Sequence, residues 1–207
     1  MKRFLAALLF TLLSITPLQS VSSIQPLVWG GHNYCTTFSV NAKTHLWLTA
    51  YHCVGDDEGN ISTDVYIGVG MKPATVLAAF PDRDLAILQG ELFAPTIYLS
   101  KTAPEIGDTV TVIGYGNGAE QAWGSVGVVL GLADPVEGYT GRVWTRSATY
   151  IARGHSGSPL FNTSGEFIGV LQIGYPESWA DSMHANQAGS VQWEELDKLR
   201  KKWFPKH

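Results

Sequence analysis

Short runs of β-branched and aromatic residues, bounded by Gly, Pro, Asn and Asp, recur along most of the chain. They predict strands over 34–40, 45–50, 65–69, 75–80, 85–89, 110–114, 126–132, 142–149 and 167–173. Many short strands at this spacing point to an all-β sandwich or barrel. The least strand-like stretch, about 95–107, separates two β units of similar size, and the sequence shows no internal repeat, low-complexity tract or long linker. Only the C-terminus changes period. Trp193, Leu196, Leu199 and Trp203 fall on one helical face, Glu194 with Lys198 and Asp197 with Lys201 stand four apart, and Pro205 stops the run. A terminal helix of about three turns is expected.

The N-terminus has a different character. Lys2 and Arg3 precede an apolar run from Phe4 to Ile15, followed by Thr16, Pro17 and a small polar cluster around Ser20, Ser22 and Ser23. This is the layout of a secretory signal peptide, here 1–23. The run is too short for a membrane anchor, which needs about 20 apolar residues. Cleavage is therefore expected, and loss of Lys2 and Arg3 would take the net charge from −4 to −6. No later segment offers a spanning run, so the processed chain should be soluble, secreted or periplasmic and without membrane contact; a monomer is expected.

Composition narrows the class. The chain has 207 residues, 45% hydrophobic and 15% charged, with 22 Gly and 7 Trp, which excludes disorder, coiled coil and collagen-like repetition. An acidic balance leaves no electrostatic footprint for nucleic acid. Two cysteines, Cys35 and Cys53, can form one disulfide in an oxidising compartment. The competing reading is a metal site, since His32 and His52 lie close to them in sequence, but a thiolate pair suits an exported protein poorly.

Three segments carry chemistry. Gly154-His155-Ser156-Gly157-Ser158-Pro159 places a serine between glycines, which permit a sharp turn that exposes a nucleophile and directs neighbouring N–H groups toward one point. Leu48-Thr49-Ala50-Tyr51-His52-Cys53 puts a histidine at the end of an apolar strand, where an imidazole can act as general base. Asp84-Leu85-Ala86-Ile87-Leu88 opens another apolar strand with a lone carboxylate, which could orient that imidazole. Asp56, Asp57 and Asp82 compete for the carboxylate role, Asp82 most closely. Gly114-x-Gly116-x-Gly118 follows a strand but opens no helical pattern, so it does not read as a nucleotide loop.

Together these segments resemble the trypsin-like, or chymotrypsin-fold, serine proteases, in chain order His, Asp, Ser. The family's Thr-Ala-x-His-Cys pattern falls on 49–53, its Asp-x-Ala-x-Leu on 84–88 and its Gly-x-Ser-Gly on 154–157. Ile151-x-Arg153-Gly154-x-Ser156-Gly157 also looks like the bacterial stress-protease branch, and Gly157-Ser158-Pro159 like the glutamyl endopeptidases. The resemblance implies two packed antiparallel Greek-key β-barrels, about 24–100 and 105–191, with a C-terminal α-helix over about 192–204. It implies His52 as base, Asp84 as orienting carboxylate, Ser156 as nucleophile, and the N–H groups of Gly154 and Ser156 as oxyanion hole. No metal or organic cofactor is required. Members activated from zymogens carry an aspartate just before the serine; His155 stands there, so that switch is absent and a structural role for its ring is expected.

The same resemblance places the substrate pocket. Tyr150, Ile151 and Ala152 would form one wall and floor, Gln172, Ile173 and Gly174 a second wall, and the stretch near Ala188 and Gly189 a third. With Tyr150 six positions before the serine, no counter-ion awaits a cationic side chain, so cleavage after Lys or Arg is not expected. Small or medium apolar residues are preferred, with acidic residues bound through His184 as the alternative. The competing function is a catalytically silent binding protein on the same fold. An esterase of the α/β-hydrolase type is disfavoured, because it places Ser before the acid and His.

Overall fold

A computed structural model describes residues 22–29, 32–56, 58–133, 144–175, 184–185 and 187–205. The body of the expected signal peptide, 1–21, lies outside the described residues. In the N-terminal half, β1 (Ile24–Trp29), β2 (His32–Asn41), β3 (Leu46–Ala50), β4 (Val65–Ile67), β5 (Lys72–Phe80) and β6 (Leu85–Gly90) close into a barrel in the order β1-β2-β3-β6-β5-β4. The C-terminal half contains β7 (Thr109–Gly114), β8 (Trp123–Ala133), β9 (Trp144–Ser147), β10 (Ile151–Ala152), β11 (Pro159–Phe161), β12 (Phe167–Tyr175), β13 (His184–Ala185) and β14 (Gln187–Val191). Six of these form a second closed barrel, β7-β8-β9-β14-β12-β11, and β10 pairs with β13 outside it. All neighbours within the barrels are antiparallel. The two barrels thus repeat one strand order without any repeat in the sequence.

The predicted strands are all present with shifted ends. Sequence reading missed β1, β10, β11, β13 and β14. Closure abolishes strand edges, and each barrel fills its interior with inward-facing side chains. Leu27, Trp47, Ile67 and Leu88 fill the first, and Val110, Val112, Leu160 and Leu171 the second. A third cluster lies between them: Phe38, Leu48 and Leu85 from the first barrel meet Tyr115, Phe167 and Val170 from the second, and Leu196, Leu199 and Phe204 from the C-terminal end. Full burial of a side chain of this size stabilises by roughly 1.5–3 kcal/mol, so docking of the barrels is part of folding. Phe167 meets Phe38 at 5.0 Å and Phe204 at 5.6 Å, edge to face in both cases.

The expected helix is α1 (Trp193–Trp203), with Leu196 and Leu199 buried. Its ion pairs correct the expected four-residue spacing: Glu195 pairs with Lys198 and Asp197 with Arg200, each three apart. Glu195 also pairs with Arg83 of the first barrel at 2.9 Å, which ties the helix to that barrel.

Candidate active site

At the end of β3 the chain turns into a single 3-10 turn, Tyr51–Cys53, with Tyr51 and Cys53 buried and His52 between them. Cys53 is disulfide-bonded to Cys35 on β2. The sulfurs and His52 offer ligand-type atoms within 4.8 Å of one another, but a disulfide leaves no thiolate to bind a metal ion.

Ala50 faces Leu85 across the β3–β6 ladder, so the residues after one and before the other leave the barrel at the same end. Pro81 begins a 3-10 turn, Pro81–Arg83, and Asp84 follows in the left-handed region at φ 49°. That conformation costs a non-glycine residue about 1 kcal/mol or more. It is held by bonds at every polar atom: the Asp84 carboxylate, 1% exposed, receives the His52 backbone N–H on Oδ1 at 2.8 Å and lies 2.8 Å from His52 Nδ1 through Oδ2. Its carbonyl accepts from the Tyr51 N–H at 3.0 Å and from the Gln172 side chain at 2.9 Å. An imidazole held by a carboxylate on Nδ1 keeps Nε2 available to take and return a proton. The competing acids are elsewhere: Asp82 is largely exposed, Asp56 binds its own loop through Asn60, and Asp57 lies outside the described residues.

The serine turn links β10 to β11 and is bonded almost to completion. Arg153 O accepts from the Asn117 N–H at 2.5 Å, Gly154 O from the Thr36 hydroxyl at 2.8 Å, His155 O from the Ser158 N–H at 2.8 Å and Ser156 O from the Thr36 N–H at 2.8 Å. The His155 N–H donates to Ala152 O at 3.1 Å and the Gly157 N–H to Leu171 O at 2.7 Å. Among the described residues, the N–H groups of Gly154 and Ser156 and the Ser156 hydroxyl meet no partner. A trans peptide sets its N–H opposite its C=O, so the bonds to Arg153 O and His155 O aim these two N–H groups. Gly154 at φ +96° and Gly157 at φ +83° supply the torsions that the turn requires. A Cβ on Gly157 would overlap Thr36 O and Thr49 Oγ1, which shows how closely the turn abuts the strand that leads to His52.

Two residues to which sequence reading gave no such task hold this arrangement. Thr36 on β2 was passed over; its hydroxyl donates to Gly154 O and accepts from the Tyr115 N–H at 2.9 Å. Gln172, expected in the substrate wall, is buried and directs its side-chain amide to Arg83 O at 2.6 Å and to Asp84 O. Nothing in the local sequence marks either residue, because their partners lie about as far away as a domain allows.

The remaining expected pocket residues divide. Ile151 is buried in the core of the second barrel, Ala152 is buried, and Tyr150 is exposed with its ring 5.9 Å from that of Trp123. Ala152 faces His184 in the β10–β13 pair. Ile173 and Gly174 lie on β12, opposite Gly189 and Ala188. The side chains of Ile173 and His184 lie outside the described residues. His52, with Trp29, Val54, Ile61 and Asp64, helps to line a pocket of about 370 Å³.

The trypsin-like peptidase domain family matches the chain over residues 35–170. No curated protein matches it in sequence. Its fold is similar to that of the protease Rv3671c from M. tuberculosis: the Ser343Ala mutant in the inactive form has a TM-score of 0.68 at 19% identity, over 87% of this chain and 86% of that one. The active form of Rv3671c gives 0.61 at 22% identity, covering 89% and 80%. The HtrA-type protease AlgW with a decapeptide gives 0.67 at 15% identity, and there the match spans 88% of this chain but only 64% of AlgW. With a family match across most of its length, and with both barrels and the serine turn in place, the chain belongs to the trypsin-like peptidases and is a serine peptidase.

Proposed function

We propose that the chain is an exported endopeptidase in which Ser156, His52 and Asp84 act as one proton-transfer unit. The observation that carries this reading is the serine turn, in which two adjacent donors, Gly154 N–H and Ser156 N–H, are left over after the surrounding carbonyls have found partners. Donors held in advance at one point are what a developing oxyanion needs. In the reaction, His52 Nε2 takes the proton of the Ser156 hydroxyl as its oxygen bonds to the scissile carbonyl carbon. The carbonyl oxygen gains the negative charge and is received by the two N–H groups. Collapse expels the amine, which takes the proton from His52 and leaves an acyl-enzyme. Water, deprotonated by the same imidazole, then attacks the acyl carbon; the bond to Ser156 breaks, the serine oxygen takes the proton back from His52, and the acid is released. Asp84 keeps the ring in the productive tautomer and stabilises its charged form.

An extended peptide is expected to lie along the edge of β12 at 172–174, past Val170 where the pairing with β11 stops, which fits β-strand addition. Tyr150, Ile151 and Ala152 offer no carboxylate for a cationic side chain, so cleavage follows small or medium apolar residues, with an acidic residue bound through His184 as the second reading. Export is supported by the charged and apolar N-terminal pattern and by the Cys35–Cys53 bond. No helix among the described residues is long and apolar enough to cross a membrane. The test is labelling with a fluorophosphonate probe together with a digest of a diverse peptide library. Labelling at Ser156 that disappears in Ser156→Ala supports the assignment, and a wild-type protein that neither labels nor cleaves would overturn it.

A further inference from the structure

His155 takes no part in the proposed reaction, yet its side chain is completely buried in the middle of the serine turn. Its ring occupies a seat made by absent side chains. A Cβ on Gly116 would overlap ring atoms Cε1 and Nδ1, and one on Gly114 would stand 3.1 Å from Cδ2. Trp123 closes the seat, its ring edge-on at 4.2 Å. The glycines at 114 and 116, which suggested no chemistry in the sequence, are spaced to receive an imidazole.

The ring also makes a specific bond. Nδ1 lies 3.2 Å from both N and O of Ala152, and because the Ala152 N–H is a fixed donor, the neutral Nδ1 is its acceptor. The backbone N–H of His155 already donates to Ala152 O. Residues 152 and 155 are therefore tied twice, with Arg153 and Gly154 held between the ties. Nε2 is buried without a hydrogen-bond partner among the described residues. The same glycine turn acts a second time: Asn117, next to Gly116, donates the N–H that holds Arg153 O and so aims the Gly154 N–H.

We propose that His155 is a positioning residue which, seated on Gly114 and Gly116 and bonded to the Ala152 peptide, fixes the direction of the Gly154 and Ser156 N–H groups. This role rests on the reading of those groups as the oxyanion donors. It differs from a packing role in a measurable way. Loss of packing lowers the folded fraction and affects every ligand equally, whereas loss of aim weakens only those ligands that place a negative oxygen between the two donors.

The experiment compares wild type, His155→Ala, His155→Asn and Gly116→Ala at a temperature where each is folded by circular dichroism. Turnover of a peptide substrate is read together with affinity for a peptide boronic acid and for the matching product peptide. His155→Ala should lose about a hundredfold in kcat with KM nearly unchanged, and boronic-acid affinity should fall in parallel while product affinity holds. His155→Asn should recover most of the loss, because its side-chain oxygen can accept from the Ala152 N–H. Gly116→Ala, which displaces the ring without removing it, should resemble His155→Ala and keeps the test open if the latter does not fold. Boronic-acid affinity that is unchanged in the variants, or equal losses for boronic acid and product, would overturn the role alone. Wild type that binds no boronic acid and takes no fluorophosphonate would overturn the functional reading, and the role with it.

Discussion

The side chain of Gln172 on the second barrel donates to the carbonyls of Arg83 and Asp84 on the first, at 2.6 and 2.9 Å. It grips the backbone of the very residue whose carboxylate holds His52, at a point where that backbone is in the left-handed region. Gln172→Ala should take the side-chain donor from Arg83 O and one of two donors from Asp84 O, which keeps the Tyr51 N–H, at a cost of about 1–3 kcal/mol in all, and loosen Asp84. The expected result is a fall of tenfold or more in kcat, with a lower urea midpoint. Unchanged kcat in a fully folded variant would show that the amide does not steady the carboxylate.

Asp84 accepts two hydrogen bonds from one residue, the backbone N–H and Nδ1 of His52. An asparagine has one acceptor oxygen and must turn its NH₂ group toward one of those positions, which favours the wrong tautomer. Asp84→Asn should therefore lose about four decades in kcat, the loss expected when the imidazole is held in the wrong tautomer. Steady-state rates on the best library peptide check this, and a variant with full activity would return the role to Asp82.

Cys35 and Cys53 close a loop of sequence separation 18 that includes β3 and the His52 turn. Chain entropy makes such a bond worth roughly 3 kcal/mol. Reduction, or replacement of both cysteines by alanine, should lower the unfolding free energy by about that amount. Denaturant titration with and without reductant measures the difference, and coincident curves would contradict it.

Burial pushes the His155 imidazole below its ordinary pKa. As pH falls below about 6.5, the unfolded chain takes up a proton at His155 before the folded one does, so stability decreases until the folded imidazole is also protonated. Above that range both states are neutral and the residue contributes no slope. The groups packed on the ring, from Gly114, Gly116, Trp123, Ala152 and Ser158, carry no charge that would offset this. Urea unfolding at about pH 7.5 and about pH 5 should show a smaller pH dependence in His155→Asn than in wild type. Equal slopes would assign the effect to other groups.

What the sequence revealed and what it hid follow from the same physics. β3 and β6 announce themselves because nearly every position is buried and therefore apolar. β11 is three residues long and β14 contains Gly and Ser, so neither carries a pattern strong enough to separate it from loop. The candidates His52, Asp84 and Ser156 stood out because each sits beside a local signal: a cysteine, an apolar strand, paired glycines. Thr36 and Gln172 did not, since a threonine in a strand is unremarkable until its partner 118 positions away is known. The seat of His155 lay between these cases. Its glycines were visible, but their purpose needed the ring that lies against them.

Thr36 has a consequence beyond geometry. Because a first-barrel residue supplies both the hydroxyl that holds Gly154 O and the N–H that holds Ser156 O, the serine turn borrows part of its shape from the other half of the chain. The first barrel alone holds the template without a serine turn, and the second alone holds the turn without its template. Activity is thus expected only once the two barrels have docked, so that assembly itself switches the serine turn on.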